Sequence, residues 1–223
     1  MGIGQRARLA CGLVGPAAFT AAWVVSTSRQ PRYTIAHEHI SGLAAPDART
    51  PGTMVAGFVA LGVSTVAFAR ALEARLGGPR RSGPGPLLLG LSGVAALAAG
   101  IFRRDRMSNT PPPDLPDAHP SVANDLHDLS SVVAQAAGVL GLVALARRLR
   151  DDTSLHRWSP AVAGVAVANA ALMSWFARDV TRPGNGIVQR VGVSLPLGLM
   201  ASLALRLLRE ERINEGPGDR APR

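Results

Sequence analysis

Residues 50–69 read TPGTMVAGFVALGVSTVAFA, twenty positions without a charge, closed on either side by Arg49 and Arg70. A helix of that length rises about 30 Å, the thickness of bilayer hydrocarbon. Five more charge-free stretches follow the same plan: 9–28, 82–102, 129–146, 158–177 and 191–205, with lengths of 20, 21, 18, 20 and 15. The last gives only about 22 Å of rise, so its helix must take in a flanking charge, Arg190, Arg206 or both. Gly184 and Gly186 break the chain just ahead of it, which starts that helix near Ile187. The spacing predicts an all-α polytopic bundle of six transmembrane helices in one domain over 1–208. The helices are expected at about 9–28, 51–71, 84–103, 128–146, 158–177 and 187–208. Residues 209–223, with Gly, Pro and mixed charge, are expected to form a disordered cytoplasmic tail. Arg6 and Arg8 before an apolar run would suit a signal peptide. The run is long for one, however, and no small-x-small cleavage site follows, so it is read as the first helix.

Composition excludes other classes. Of 223 residues, 47% are hydrophobic and 17% charged, against roughly 25% charged in an average soluble domain. All 24 basic residues are arginine, and the net charge is +9. With so much Ala, Gly and Pro, this matches a GC-rich bacterial genome. Such a charge would suit nucleic acid, but the arginines fall between apolar stretches and not along one face, so no nucleic-acid partner is expected. They report topology instead. With a cytoplasmic N-terminus, inner segments hold 15 arginines and seven acids, and outer segments nine and eight, for net charges of +8 and +1. Both termini are therefore expected in the cytoplasm of a multi-pass cell-membrane protein. The single cysteine, Cys11, excludes an internal disulfide.

The helices are rich in small residues. Ser92, Ala96 and Gly100 form a stripe at spacing four, as do Ala56, Ala60 and Ser64, and Ala134 with Gly138. Such stripes let helices approach closely in lipid. Pro16 and Pro196 are expected to kink the first and last helices. Trp23, Trp158, Trp175 and Phe176 fall towards helix ends, where aromatic belts form. Polar residues deep in the spans are Thr20, Ser64, Gln135, Asn169 and Ser194, and none is ionisable. Gln135 and Asn169 are expected to bond between helices.

Potential chemistry collects on the outer side. The outer segments hold Tyr33, His37, Glu38, His39, Ser41, Asp105, His119, Asp125, His127, Asp128 and Arg190. Pro111, Pro112, Pro113, Pro116 and Pro120 should make the loop that carries several of them extended and stiff. Tyr33, Ser41, Asp105, His127 and Arg190 are expected to converge on one outer cavity, because they sit at four helix ends on the same side, and with Asp128 they are the candidate binding residues. Arg190 is expected to pair with Asp105 or Asp128, with snorkelling to lipid phosphate as the alternative.

A family resemblance joins these positions. The run from Tyr33 through Ser41-Gly42-Leu43, the run Gly100-Ile101-Phe102 with Asp105, the pair His127-Asp128 and the pair Gln189-Arg190 occur in order along the chain. The ordered set resembles the six-helix membrane family catalogued as domain of unknown function 998. The family often has Glu where this chain has Gly42, and Pro or Cys where it has Arg103. The resemblance implies six helices in a membrane and no particular activity.

Three functions remain open at this stage. One is a binding component that takes a lipid, a small molecule or a partner at the outer polar site, besides the lipids around it. Another is a membrane enzyme at the outer leaflet. There His127, Asp105 and Ser41 would be the catalytic candidates, with His127 as a base oriented by Asp105. No cofactor is predicted, although His37, His39 and His127 are a possible ligand set for a metal such as zinc. The third is a small transporter, which the lack of an ionisable midplane group disfavours. The sequence gives no oligomeric state.

Overall fold

The computed structural model describes residues 3–108 and 120–214. Six main helices run up and down: α1 (Ile3–Arg29), α2 (Pro51–Arg75), α3 (Gly85–Ile101), α4 (Val122–Arg150), α5 (Ser159–Arg178) and α6 (Asn185–Asn214). No strand occurs among the described residues. Five of these helices are long and apolar enough to cross a membrane; α3 is apolar but has 17 residues. Each helix packs on the next in sequence, and α6 returns to pack on α1, so the bundle closes into a ring.

The helices overrun the charge-free stretches. α4 starts at Val122, six residues before the expected 128, and α6 runs to Asn214, six residues past 208. Lack of charge marks only the part of a helix that lies in hydrocarbon, and the helix itself continues beyond it. Residues 209–214 of the expected tail are thus helical, while 215–223 lie outside the described residues. So do His119 and the prolines at 111, 112, 113 and 116. α6 carries both Arg190 and Arg206, as its short apolar stretch required.

Close packing rests on glycines. A Cβ on Gly62 of α2 would meet the Gly93 carbonyl of α3 at 2.6 Å, and one on Gly93 would meet the Gly62 carbonyl at 2.8 Å. The two backbones therefore touch where neither residue has a side chain. Ser92 adds an interhelical bond, donating to the Ala134 carbonyl at 2.7 Å. Ala56 turns outward instead, and Gly57 takes the contact with α1, close to Ala22.

Both in-helix prolines were legible, and one has an identifiable partner. Pro196 lacks the N–H that would bond the carbonyl four residues back, at Gly192. Asn169 of α5 supplies the missing donor through its Nδ2, and its Oδ1 accepts from Gln135 of α4. The expected interhelical role of Gln135 and Asn169 thus includes supplying the donor that α6 lacks at Pro196.

The two ends of the ring differ. At the end that carries both termini, Leu9, Leu72, Leu76, Leu145, Leu149, Leu155 and Leu207 form one buried core. Ion pairs lie over it: Arg6 with Glu211, Arg75 with Asp152 and Glu210, and Arg206 with Glu210. The opposite, long-loop end is closed by residues 30–50, which include a short 3-10 helix at Ile40–Ala44. Beneath it Phe19, Ala22, Ile40, Leu43, Met54 and Leu61 are buried together.

Candidate functional site

Arg190 sits in the second turn of α6 and is 7% exposed. Its Nη1 donates to the carbonyls of Ile35 (3.0 Å), Glu38 (2.8 Å) and Gly186 (2.8 Å). Its Nη2 bonds the Tyr33 hydroxyl, which in turn donates to the His39 carbonyl at 3.0 Å. The guanidinium also lies 5.6 Å from the Trp23 ring centroid and 5.5 Å from that of Tyr33. Next to it, Gln189 Oε1 accepts from the Ile40 N–H at 2.8 Å. The Gly186 N–H donates to the Ala36 carbonyl at 2.9 Å, and a Cβ on Gly186 would press into the carbonyls of this loop. The first turns of α6 therefore hold the loop after α1 by its backbone. The carbonyls of Ile35, Ala36 and Glu38 take their donors from α6, and buried unpaired carbonyls are costly. Burial pushes the Tyr33 phenol up, against the pull of Arg190.

None of these partners is a carboxylate. Asp105 and Asp128, the expected ones, are occupied elsewhere. Asp105 accepts from the Ser121 N–H at 2.8 Å and from the Ser121 hydroxyl, which hold its carboxyl below the usual range. Ser121 is the N-cap of α4, accepting from the Asn124 N–H at 3.1 Å. The Asn124 side chain links both acids, accepting from the Asp105 N–H and donating to Asp128. This is a helix cap tied to the loop before it, built around Ser121 and Asn124. Its sequence signal is a serine just ahead of the first helical residues.

His127 is 2% exposed and has a third task. Its Nδ1 lies 2.7 Å from the Ala99 carbonyl and 2.9 Å from that of Phe102. Two carbonyls at one nitrogen require the N–H there. α3 ends at Ile101, so the Ala99 carbonyl has no helical donor. His127 supplies one from α4 and closes the end of α3. Its other nitrogen is 3.5 Å from Ser131 Oγ, and its ring meets Phe58 edge-on.

The remaining candidates are dispersed. His39 is buried, with Nε2 bonded to the Val180 carbonyl at 3.0 Å and Nδ1 3.5 Å from Arg104. Burial, with repulsion from Arg104, pushes it down to about 4. His37 accepts from the Gly184 N–H through Nδ1 at 3.3 Å. Ser41 lies in the short 3-10 helix, half-buried. Tyr33 and Arg190 are thus brought together, whereas His127 and the Asp105–Asp128 cap form separate networks. Among the described residues no three His, Cys, Asp or Glu side chains come together as a metal would need.

One concavity reaches this region. A shallow, open groove of about 520 Å³ runs along α6 beside Trp23 of α1, lined by Trp23, Arg190, Val191, Ser194, Leu195, Gly198 and Ser202. Trp23, expected in an aromatic belt, here stands against Arg190.

The family described as Protein of unknown function (DUF998) matches over residues 13–206. The chain belongs to this family. No curated protein and no solved structure matches it. In this DUF998 chain, the residues that carried the resemblance lie at seams between elements. Tyr33 and Gln189-Arg190 join the first loop to α6, while Phe102 and His127 join α3 to α4. Gly42 packs against the Met107 carbonyl, where a side chain of any size would collide. The DUF998 match and the apolar helices make the chain an integral, multi-pass membrane protein.

Proposed function

We propose that the protein is a binding component of the cell membrane that takes a lipid or similar amphiphile at its outer end. The observation that carries this reading is Arg190. It is a cation nine-tenths buried, with neutral oxygens as its partners, at the head of the α1–α6 groove. A buried charge without a counter-charge is costly, and an anionic or strongly polar ligand would relieve that cost. Both termini would lie in the cytoplasm, as the arginine count expects, placing the groove head at the outer leaflet. Binding is favoured over catalysis because His127 has its Nδ1 committed to two backbone carbonyls.

Native mass spectrometry after detergent exchange tests this. Wild-type protein should retain a bound lipid, and Arg190→Ala should lose it. Wild-type protein without any retained lipid would overturn the reading.

A further inference from the structure

We infer that the occupant of the α1–α6 groove is an anionic phospholipid, with its phosphate at Arg190 and an acyl chain laid along Ser194, Gly198 and Ser202. This rests on the binding role proposed above and names its ligand. The first argument is length. From residue 190 to residue 202 the helix rises roughly 18 Å, somewhat more than one leaflet's half of ~30 Å of hydrocarbon. A ligand that fills this groove must run from the interface towards the midplane, as an acyl chain does and a soluble anion does not.

The second argument is shape. Ser194, Gly198 and Ser202 recur every fourth residue and are exposed, and a Cβ on Gly198 would meet nothing within 4 Å. The stripe is therefore not used to seat a neighbouring helix of the same chain. Trp23 of α1 forms the wall at the groove head.

The third argument is charge. The bonds of Arg190 go to three carbonyls and a phenol, and its Nε is buried with no partner among the described residues. No carboxylate is among these partners, and in this low-dielectric site an anion gains more than in water. A net-negative headgroup satisfies it better than a zwitterionic one, whose own cation competes.

Trp23 provides the readout. With Trp158→Phe and Trp175→Phe as background, Trp23 fluorescence is followed in vesicles that contain acyl-brominated phosphatidylglycerol or acyl-brominated phosphatidylcholine. Phosphatidylglycerol should quench at about tenfold lower mole fraction, the equivalent of one charge-assisted bond. Gly198→Leu fills the groove and leaves Arg190 in place. It should abolish the preference while the protein stays folded by its unfolding temperature. Excess glycerol phosphate should leave the quenching unchanged. Equal quenching by both lipids would overturn the headgroup assignment and leave the binding role intact. Relief of quenching by glycerol phosphate would assign the site to a soluble anion. Wild-type preference in Gly198→Leu would remove the acyl chain from the groove. Disulfide crosslinks between copies through Ser202→Cys, with no lipid preference, would give the face to a second copy of the chain.

Discussion

The terminal end and the long-loop end of the bundle give their arginines different partners. At the terminal end arginines meet carboxylates, as Arg75 does with Asp152 and Glu210, over a core of leucines. Arg148 at this end also donates to the Arg81 carbonyl at 2.7 Å and the Leu76 carbonyl at 3.2 Å, and Asp152 accepts from the Ser154 and Leu155 N–H groups of its own turn. At the long-loop end Arg190 and His127 meet backbone carbonyls, and Asp105 meets backbone and hydroxyl donors. There the chain leaves helical geometry beside low-dielectric surroundings, and its loose carbonyls and N–H groups need side-chain partners. Arginine–carboxylate pairs are added to backbone bonds at the terminal end, whereas at the long-loop end Arg190 bonds backbone carbonyls and a phenol without a carboxylate. Loss of one of these side chains should therefore cost most at the long-loop end.

His127 is the strongest case. His127→Ala would leave the Ala99 and Phe102 carbonyls unsatisfied and open a cavity beside Phe58. The expected loss is about 4 kcal/mol, from one or two stranded acceptors plus the void. Chemical unfolding in detergent would measure it. His127→Asn keeps an N–H donor at the δ position and should recover part of the loss. An alanine variant as stable as wild type would break the comparison at its main point.

His39 gives the long-loop end an acid sensitivity. Its folded value is about 4 against an ordinary 6.5, because burial disfavours the imidazolium and Arg104 repels it. As the pH falls through 6.5 the unfolded chain takes up a proton that the folded chain refuses. This contribution is complete above pH 6.5 and is lost progressively down to about pH 4. Its size is at most about 3 kcal/mol. Unfolding midpoints at several pH values, for wild type and His39→Gln, would show it. Equal acid losses in the two proteins would clear His39 of the effect.

The sequence disclosed the spans because hydrocarbon excludes charge, and a charge-free count reads that directly. It placed Arg190 in the membrane-spanning helix for the same reason, since 15 residues cannot cross alone. It did not disclose what Arg190 holds. A carbonyl carries no sequence signature, so the bonds to Ile35, Glu38 and Gly186 cannot be read from residue types, and an acid partner was the natural expectation. His127 is a similar case: a histidine near aspartates leaves catalysis open, and the carbonyls of α3 that it meets carry no sequence signature. Tyr33 with Arg190 was legible from their place at helix ends on one side and from the ordered resemblance, neither of which says what they do.

Asn169 tests the same principle within a span. Asn169→Ala removes the donor to the Gly192 carbonyl and should cost about 1 kcal/mol, the scale of interhelical bonds in membranes. With Pro196→Ala present, an N–H is restored to serve that carbonyl, and the cost of Asn169→Ala should fall. A double-mutant cycle measures the difference. Purely additive effects would mean that Asn169 serves only Gln135.

The smallest effect belongs to the terminal end. Arg75 Nη1 lies 3.5 Å from Asp152, its Nη2 lies 3.7 Å from Glu210, and its side chain is 30% exposed. Long, partly hydrated pairs of this kind contribute roughly 0.2–1 kcal/mol. The Asp152 carboxyl does not depend on Arg75 alone. Burial pushes it up, and bonds from the Ser154 hydroxyl and the Ser154 and Leu155 N–H groups, with Arg75, bring it below the ordinary range. Arg75→Ala should therefore leave the Asp152 turn folded and lower stability by about 0.5 kcal/mol. Raising salt towards 1 M, where the screening length falls to about 3 Å, should erase most of that difference. Arg190→Ala should keep its larger deficit at the same salt, because carbonyl bonds inside the bundle are screened little. If both deficits shrank alike, the long-loop cation would be an ordinary surface charge, and the contrast between the two ends would not hold.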